Sequence, residues 1–281
     1  MKSKMKRSMH LYFRLAVALT TAFVMAFATF GCTKPSGPAV ELQIFAANSL
    51  EKALPEVQAL YTLAHPNVTF ADTQFKGSGD LVSQIEGGAR PDLLITASKG
   101  SMDTAENGGF IDSNTRNNMF ANDLVVARAV GSSIQIRSLA DVNASNISRI
   151  AIGDAAAVPA GQYANQALNT IGLYSDASGR NGSYSASFEP KVSVASSVGN
   201  AAKYVETGDC QIGFVYSSDI FRFSGIEIAF VVPASAHQPI VYPGAVLNGS
   251  SNAEVAADFL NFCLTDPGAQ RVWSQYGFEV L

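Results

Sequence analysis

From Val40 onward the apolar positions follow two rhythms in turn. Glu41–Ala47 reads as a strand, and Asp92–Ala97 (DLLITA) as a second, almost wholly apolar one of the kind covered on both faces. Between them Leu50, Leu54, Val57, Leu60 and Tyr61 recur at helical spacing, Val68–Thr73 is extended and Leu81–Glu86 helical. Further strands are predicted at Leu124–Ala129, Arg149–Gly153, Lys191–Ala195, Gln211–Tyr216 and Ile226–Val232. Helices are predicted at Ala160–Ile171, Gly199–Glu206, Ala253–Leu264 and Gly268–Tyr276. The alternation predicts an α/β protein with mostly parallel sheets flanked by helices. Pro55, just past the first turn of its helix, is expected to kink it. Residues 175–187 (SDASGRNGSYSAS) read as an exposed loop.

The length suits two lobes of about a hundred residues each. The expected division is 40–122 for the first lobe and 123–231 for the second, with 232–281 returning to complete the first. Ahead of them lies a segment of different chemistry. Lys2, Lys4, Lys6, Arg7 and Arg14 precede or open an apolar run from Leu15 to Phe30 that is shorter than the ~20 residues of a membrane-spanning helix. Residues 1–31 are therefore read as a signal peptide and 32–39 as a tether. Gly31-Cys32 resembles the bacterial lipobox, which makes Cys32 the expected lipidation site, although Thr29 and Phe30 depart from the usual pattern. A buried N-terminal helix with an incidental cysteine fits worse, because the basic residues sit at one end and the run has no polar face. The protein is expected in the periplasm or lipid-anchored on the outer face of the cytoplasmic membrane.

Removing that segment changes the charge. The whole chain carries −4, but from Cys32 onward 14 basic residues face 23 acidic ones, a balance of −9. Such a body is a poor partner for nucleic acid. Cys210 and Cys263 could pair in an oxidising compartment or remain buried thiols. Neither they nor the three histidines have zinc-site spacing, so no metal is assigned.

Candidate chemistry sits at four places where a strand or loop gives way to a helix: Ala46–Leu50, Lys76–Leu81, Val158–Gly161 and Ser196–Asn200. Each has Ser, Gly or Pro where an N-cap or first helical position falls. First-turn amides lack intrahelical acceptors and carry the positive end of the helix dipole, so they form an anion site that needs no Lys or Arg. Plain capping explains any one junction equally well. Position argues for more, because in open α/β sheets such ends gather at one crevice.

Several motifs carry a family likeness. Phe45-Ala-Ala-Asn-Ser-Leu50, Phe75-Lys-Gly-Ser-Gly-Asp-Leu81, Arg90-Pro-Asp-Leu-Leu-Ile95, Val158-Pro-Ala-Gly-Gln-Tyr-Ala164, Gly213-Phe-Val-Tyr-Ser-Ser-Asp219, Tyr242-Pro243 and Tyr276-Gly-Phe278 resemble, in order, the periplasmic molybdate-binding proteins of ABC importers. The resemblance implies a type II two-lobed solute-binding fold with two crossing strands as hinge. It implies an oxyanion, molybdate or tungstate, held by Ser49, Ser78, the amides of Ala160 and Val198, and the Tyr216 hydroxyl. It further implies delivery to the transmembrane permease subunits of an importer, a monomeric protein, no cofactor, and no metal beyond the molybdenum of the ligand. Asn48 stands where many relatives carry Ala, so an extra polar group is expected near the ligand. The glycines flanking Ser78 are expected to loosen that turn, and the 175–187 loop looks long enough to alter docking.

Sulfate, phosphate or another oxyanion on the same fold is the alternative, because a fold hosts many ligands. A hydrolase built on Ser49 or Ser78 with His65 or His237 is disfavoured: neither histidine has an acid partner in sequence or a nucleophile-elbow context.

Overall fold

The computed structural model describes residues 37–281; the expected signal segment and Cys32 lie outside the described residues. In chain order come β1 (Val40–Leu42), β2 (Ile44–Ala47), a 3-10 turn over Asn48–Leu50, α1 (Ala53–Ala64), β3 (Val68–Phe70), β4 (Gln74–Lys76), α2 (Ser78–Glu86), β5 (Leu93–Ile95) and α3 (Lys99–Asn107). There follow β6 (Asn117–Asn122), β7 (Leu124–Ala129), β8 (Ile150–Gly153), α4 (Pro159–Thr170), β9 (Val192–Ala195), α5 (Val198–Glu206) and β10 (Ile212–Tyr216). Last are β11 (Ile226–Val231), β12 (Ile240–Val246), α6 (Ala253–Thr265), α7 (Pro267–Gln275) and β13 (Glu279–Val280).

Two main sheets result, each the centre of one lobe. One runs β13-β6-β12-β5-β2-β4 and the other β11-β7-β10-β8-β9. Strands β6 and β7 belong to different sheets although only Asp123 separates them, and the chain crosses back between β11 and β12. The sheets are mixed rather than mostly parallel. Strands that lead into helices pair in parallel, β2 with β4 and β5, β8 with β9 and β10. Every pair that involves β7, β12 or β13 is antiparallel, because these strands enter from the other lobe or return from the C-terminal helices.

Three other expectations are corrected. The strand foreseen over Glu41–Ala47 divides at Gln43, whose N–H turns to the Asp92 carboxylate (2.8 Å) while β1 pairs with β3 in a separate ribbon. Pro55 does not break its helix. Helix α1 begins only at Ala53, so Pro55 is its third residue, where an amide has no intrahelical acceptor to lose. Elements β6, β12 and α3 escaped the periodicity reading. Strand β12 is buried at every position and carries Pro243 at a register shift, where the ladder does not need its missing N–H.

Cys210 and Cys263 are unpaired and buried, and burial pushes the Cys263 thiol well up. The 175–187 loop is tied to α4: Gln162 and Gln166 donate to the Ser178 carbonyl and Asn165 to that of Gly179. Within it the Asp176 carboxylate accepts from the Ser178 hydroxyl and the Ser178 and Asn181 amides, which holds its pKa far below the usual range. An aromatic file leads from the C-terminal elements toward the gap between the sheets. Trp273 packs on Phe120 (4.3 Å between ring centroids), Phe278 on Tyr242 (5.5 Å) and Tyr242 on Tyr216 (5.8 Å). Among the described residues no helix is long and apolar enough to cross a membrane.

Candidate functional site

Ser49 and Ser78 from the six-stranded lobe, and Ala160, Val198 and Tyr216 from the five-stranded lobe, line a single small cavity, together with Asn48, Lys76 and Ala97. The structure thus brings all five sequence-predicted residues to one place. Capping accounts for little of the arrangement. Of the four junctions only the last is closed by its own side chain, the Ser197 hydroxyl accepting from the Asn200 amide at 3.0 Å. The turn at Asn48, α2 and α4 have no side-chain cap.

Each predicted residue, or for Ser49 the pair it forms with Tyr242, has a hydrogen left to give. Helix α2 starts at Ser78, whose Oγ accepts from the Ala97 amide (2.9 Å) and keeps its own proton. At the first junction the expected helix is only a 3-10 turn. There the Ser49 and Tyr242 hydroxyls lie 2.9 Å apart, and whichever one donates, a hydroxyl hydrogen of the pair remains. Asn122 steadies Tyr242 from behind at 3.4 Å. Burial pushes the Tyr242 phenol far up, so it stays protonated.

In α4, Pro159 has no N–H, and the Gly161 amide returns to the Val158 carbonyl at 2.9 Å, which leaves that of Ala160 as the first donor. A Cβ on Gly161 would fall 1.9 Å from the Gly153 carbonyl oxygen, so only glycine lets α4 settle against β8 with its N-terminus at the cavity. Val198 opens α5, where a first-turn amide has no intrahelical acceptor.

Tyr216 completes the set. Its hydroxyl is buried, with the Tyr242 hydroxyl beside it and no partner in hydrogen-bond geometry. An unmade bond of this kind costs about 1–3 kcal/mol, so the side chain points to a partner from outside the chain. Burial, then the neighbouring Tyr242 and Tyr163 hydroxyls and the Asp219 carboxylate, push its pKa well above 10; at neutral pH it is a donor.

Beside the cavity the lobes meet backbone to backbone. The Gly79 amide of one donates to the Ala157 carbonyl of the other at 2.9 Å. A Cβ on Gly77 would lie 2.7 Å from that carbonyl oxygen, and one on Gly79 would lie 2.8 Å from the Ala157 Cα. These glycines serve close approach rather than a loosened turn, and neither has positive φ.

Two further expectations shift. The carboxamide oxygen of Asn48 does not face a guest; it accepts from the Gly199 amide (3.0 Å) and the Arg222 guanidinium (3.2 Å). Nor is the site free of cations, since Lys76, exposed, lines its rim. Sequence reasoning missed Tyr242, the Ala97 amide and Arg222. The Tyr242-Pro243 motif was a usable signal for the first, whereas nothing local marks the other two.

The histidines that a hydrolase reading would pair with these serines lie elsewhere. Neither histidine lines the cavity: His65 stacks on Tyr61 at 4.1 Å and the His237 Nδ1 lies 2.8 Å from the Gln238 carbonyl. Among the described residues no group of three His, Cys, Asp or Glu is placed to hold a metal ion. A larger neighbouring cavity, which Glu86 and Arg180 line with opposite charges, contains no unpartnered donor of the Tyr216 kind.

Residues 42–279 match the family model of the bacterial extracellular solute-binding proteins. The chain is 33% identical to the molybdate-binding protein ModA of Escherichia coli K12 over 245 residues, which is 85% of this chain and 89% of that protein. It is 31% identical to ModA of Haemophilus influenzae over 244 residues, 85% and 90% of the two chains. Among solved structures, the Azotobacter vinelandii periplasmic molybdate-binding protein aligns with TM-score 0.71 and 20% identity, over 85% of this chain and 99% of that one. The sulfate-binding protein SubI of Mycobacterium tuberculosis aligns with TM-score 0.71 at 16% identity, over 86% and 87%. At these identities the two structures speak to the fold alone.

Proposed function

The chain belongs to the bacterial extracellular solute-binding proteins, and from that premise we propose that it captures molybdate or tungstate outside the cytoplasm and passes it to the permease of an ABC importer. Ser49, Ser78, the Ala160 and Val198 amides and Tyr216 are the proposed ligand contacts. The observation that carries the reading is the buried Tyr216 hydroxyl, without a protein partner, beside four other donors from two lobes. A desolvated tetrahedral dianion wants many donors and no acceptor nearby. Charge-assisted bonds of about 1.5–3 kcal/mol each, seven or so of them, outweigh association costs of at least ~4 kcal/mol. The proposed division follows the sheets: 40–122 and 232–281 form one lobe, 123–231 the other. Residues 1–31 are proposed as a signal peptide and Cys32 as a lipid attachment point that would tether a monomeric protein to the membrane. Binding and release, with no chemical step, is the whole of the proposed cycle.

Thermal melting with molybdate, tungstate, sulfate and phosphate side by side tests this. At a thousandfold excess over Kd, binding adds about 4 kcal/mol, which raises Tm by about 8–16 °C. The expected result is a large shift with molybdate and tungstate. A shift with sulfate or phosphate alone would transfer the site to those smaller anions.

A further inference from the structure

We propose that Arg222 is a positioning residue that clasps the two lobes together across the cleft, gripping Asn48 and Glu51 while its own-lobe partner Asp219 fixes Tyr216. Arg222 follows β10 of the five-stranded lobe, and its side chain is only 2% exposed. One terminal nitrogen donates to the Asp219 carboxylate, which is wholly buried. The other reaches across to the six-stranded lobe, to the Glu51 carboxylate at 2.8 Å and the Asn48 carboxamide oxygen at 3.2 Å. That same oxygen accepts from the Gly199 amide, so Asn48 is held from two places in the opposite lobe. A Cβ on Gly199 would lie 2.5 Å from the Asn48 oxygen and 3.1 Å from the Arg222 guanidinium. Only glycine leaves room for the contact.

Partners 171 and 174 residues apart, on different lobes, meet here because the lobes are apposed, and on this proposal opening the cleft parts them. The clasp is therefore a property of the closed cleft. It is also wired to the cavity, because the second Asp219 oxygen accepts from the Tyr216 amide at 2.9 Å. Closure and the placement of the Tyr216 phenol thus share one buried ion pair. Since the clasp contains no ligand, it shifts the open-closed balance of the protein by itself, and a guest that binds the closed form binds more tightly in proportion to the closed fraction.

The test uses Glu51→Gln, Glu51→Lys and Asn48→Ala, all of which leave Arg222 and Asp219 paired and Tyr216 held. In the full chain without ligand, small-angle X-ray scattering is expected to give a larger radius of gyration for Glu51→Lys and Asn48→Ala than for the wild type. With molybdate, stopped-flow dissociation is expected to quicken by about threefold for Glu51→Gln, because Glu51 is itself half exposed, and about tenfold for the other two. Association is expected to change by less than about twofold, as is usual when an interface contact is trimmed. Raising the salt should quicken dissociation from the wild type and not from Glu51→Gln. A lowered Tm with scattering and dissociation unchanged would mark Arg222 as a purely structural residue and overturn the clasp. The dissociation readout rests on the oxyanion reading, but the scattering readout does not. If the wild type binds no oxyanion, that reading fails while scattering still decides the clasp.

Discussion

Around Tyr216 the cleft collects donors that nothing in the protein accepts, and around Arg222 it collects acceptors that are already filled. Both regions draw on the two lobes, and both are buried. In the first, the Tyr216 hydroxyl lacks a partner and the cavity lining beside it is uncharged apart from Lys76, exposed at the rim. In the second, a guanidinium meets two carboxylates and a carboxamide, and only its Nε is left without a partner. The difference separates a place made for a guest from a place made for the protein itself. Charge does not mark the proposed binding region; unused hydrogen-bonding capacity does.

The sharpest way to break that comparison is Ser78→Ala. Losing a hydroxyl aimed at a dianion removes about 1.5–3 kcal/mol, which weakens molybdate binding about 10- to 150-fold by calorimetry. An unchanged affinity would mean that the vacant donors are not the ligand contacts. Tyr216→Phe separates the two regions more finely, because its effects should have opposite signs. Affinity is expected to fall about tenfold, while the unliganded protein gains about 1 kcal/mol by shedding an unmade bond, a rise in Tm of about 2–4 °C. Melting that fell instead would show that the phenol already has a structural partner. Lys76→Ala is expected to weaken binding less than about threefold, since an exposed charge is screened by water and salt; a larger loss would restore charge to the explanation.

The smallest expected effect is none. Burial holds the Tyr216 pKa well above 10, so its proton is present at any pH below that value and is lost only above it. Affinity should stay flat from about pH 7 to past about pH 10, and a decline with a midpoint near pH 10, where a free phenol titrates, would show an ordinary, solvated one.

The site was more legible than the sheets that carry it. Ser49, Ser78, Ala160 and Val198 announce themselves locally, because a helix start has fixed chemistry and a short sequence signature. Tyr216 came only from the family resemblance, since a tyrosine at a strand end is ordinary until its hydroxyl is found without a partner. Strand β12 was missed because burial on both faces erases the alternation that reveals a strand, and Pro243 disguised it further. The antiparallel pairings escaped because strand direction depends on how the chain crosses between sheets, which no local pattern encodes. Arg222 was invisible for the same reason: its partners lie 171 and 174 residues away, and nothing around it in sequence separates it from a surface arginine.

The bare backbones of Gly77 and Gly79 act as a gauge. With no side chain between them and Ala156–Ala157, the lobes come to rest at backbone contact, and the chamber behind them has a fixed final width. An added methyl at Gly79 would act as a spacer that stops the jaws early. On the proposed reading, guests of different radius would be sorted by how far the jaws can travel, and two missing side chains at the rim would help set the dimension that tells one tetrahedral anion from another.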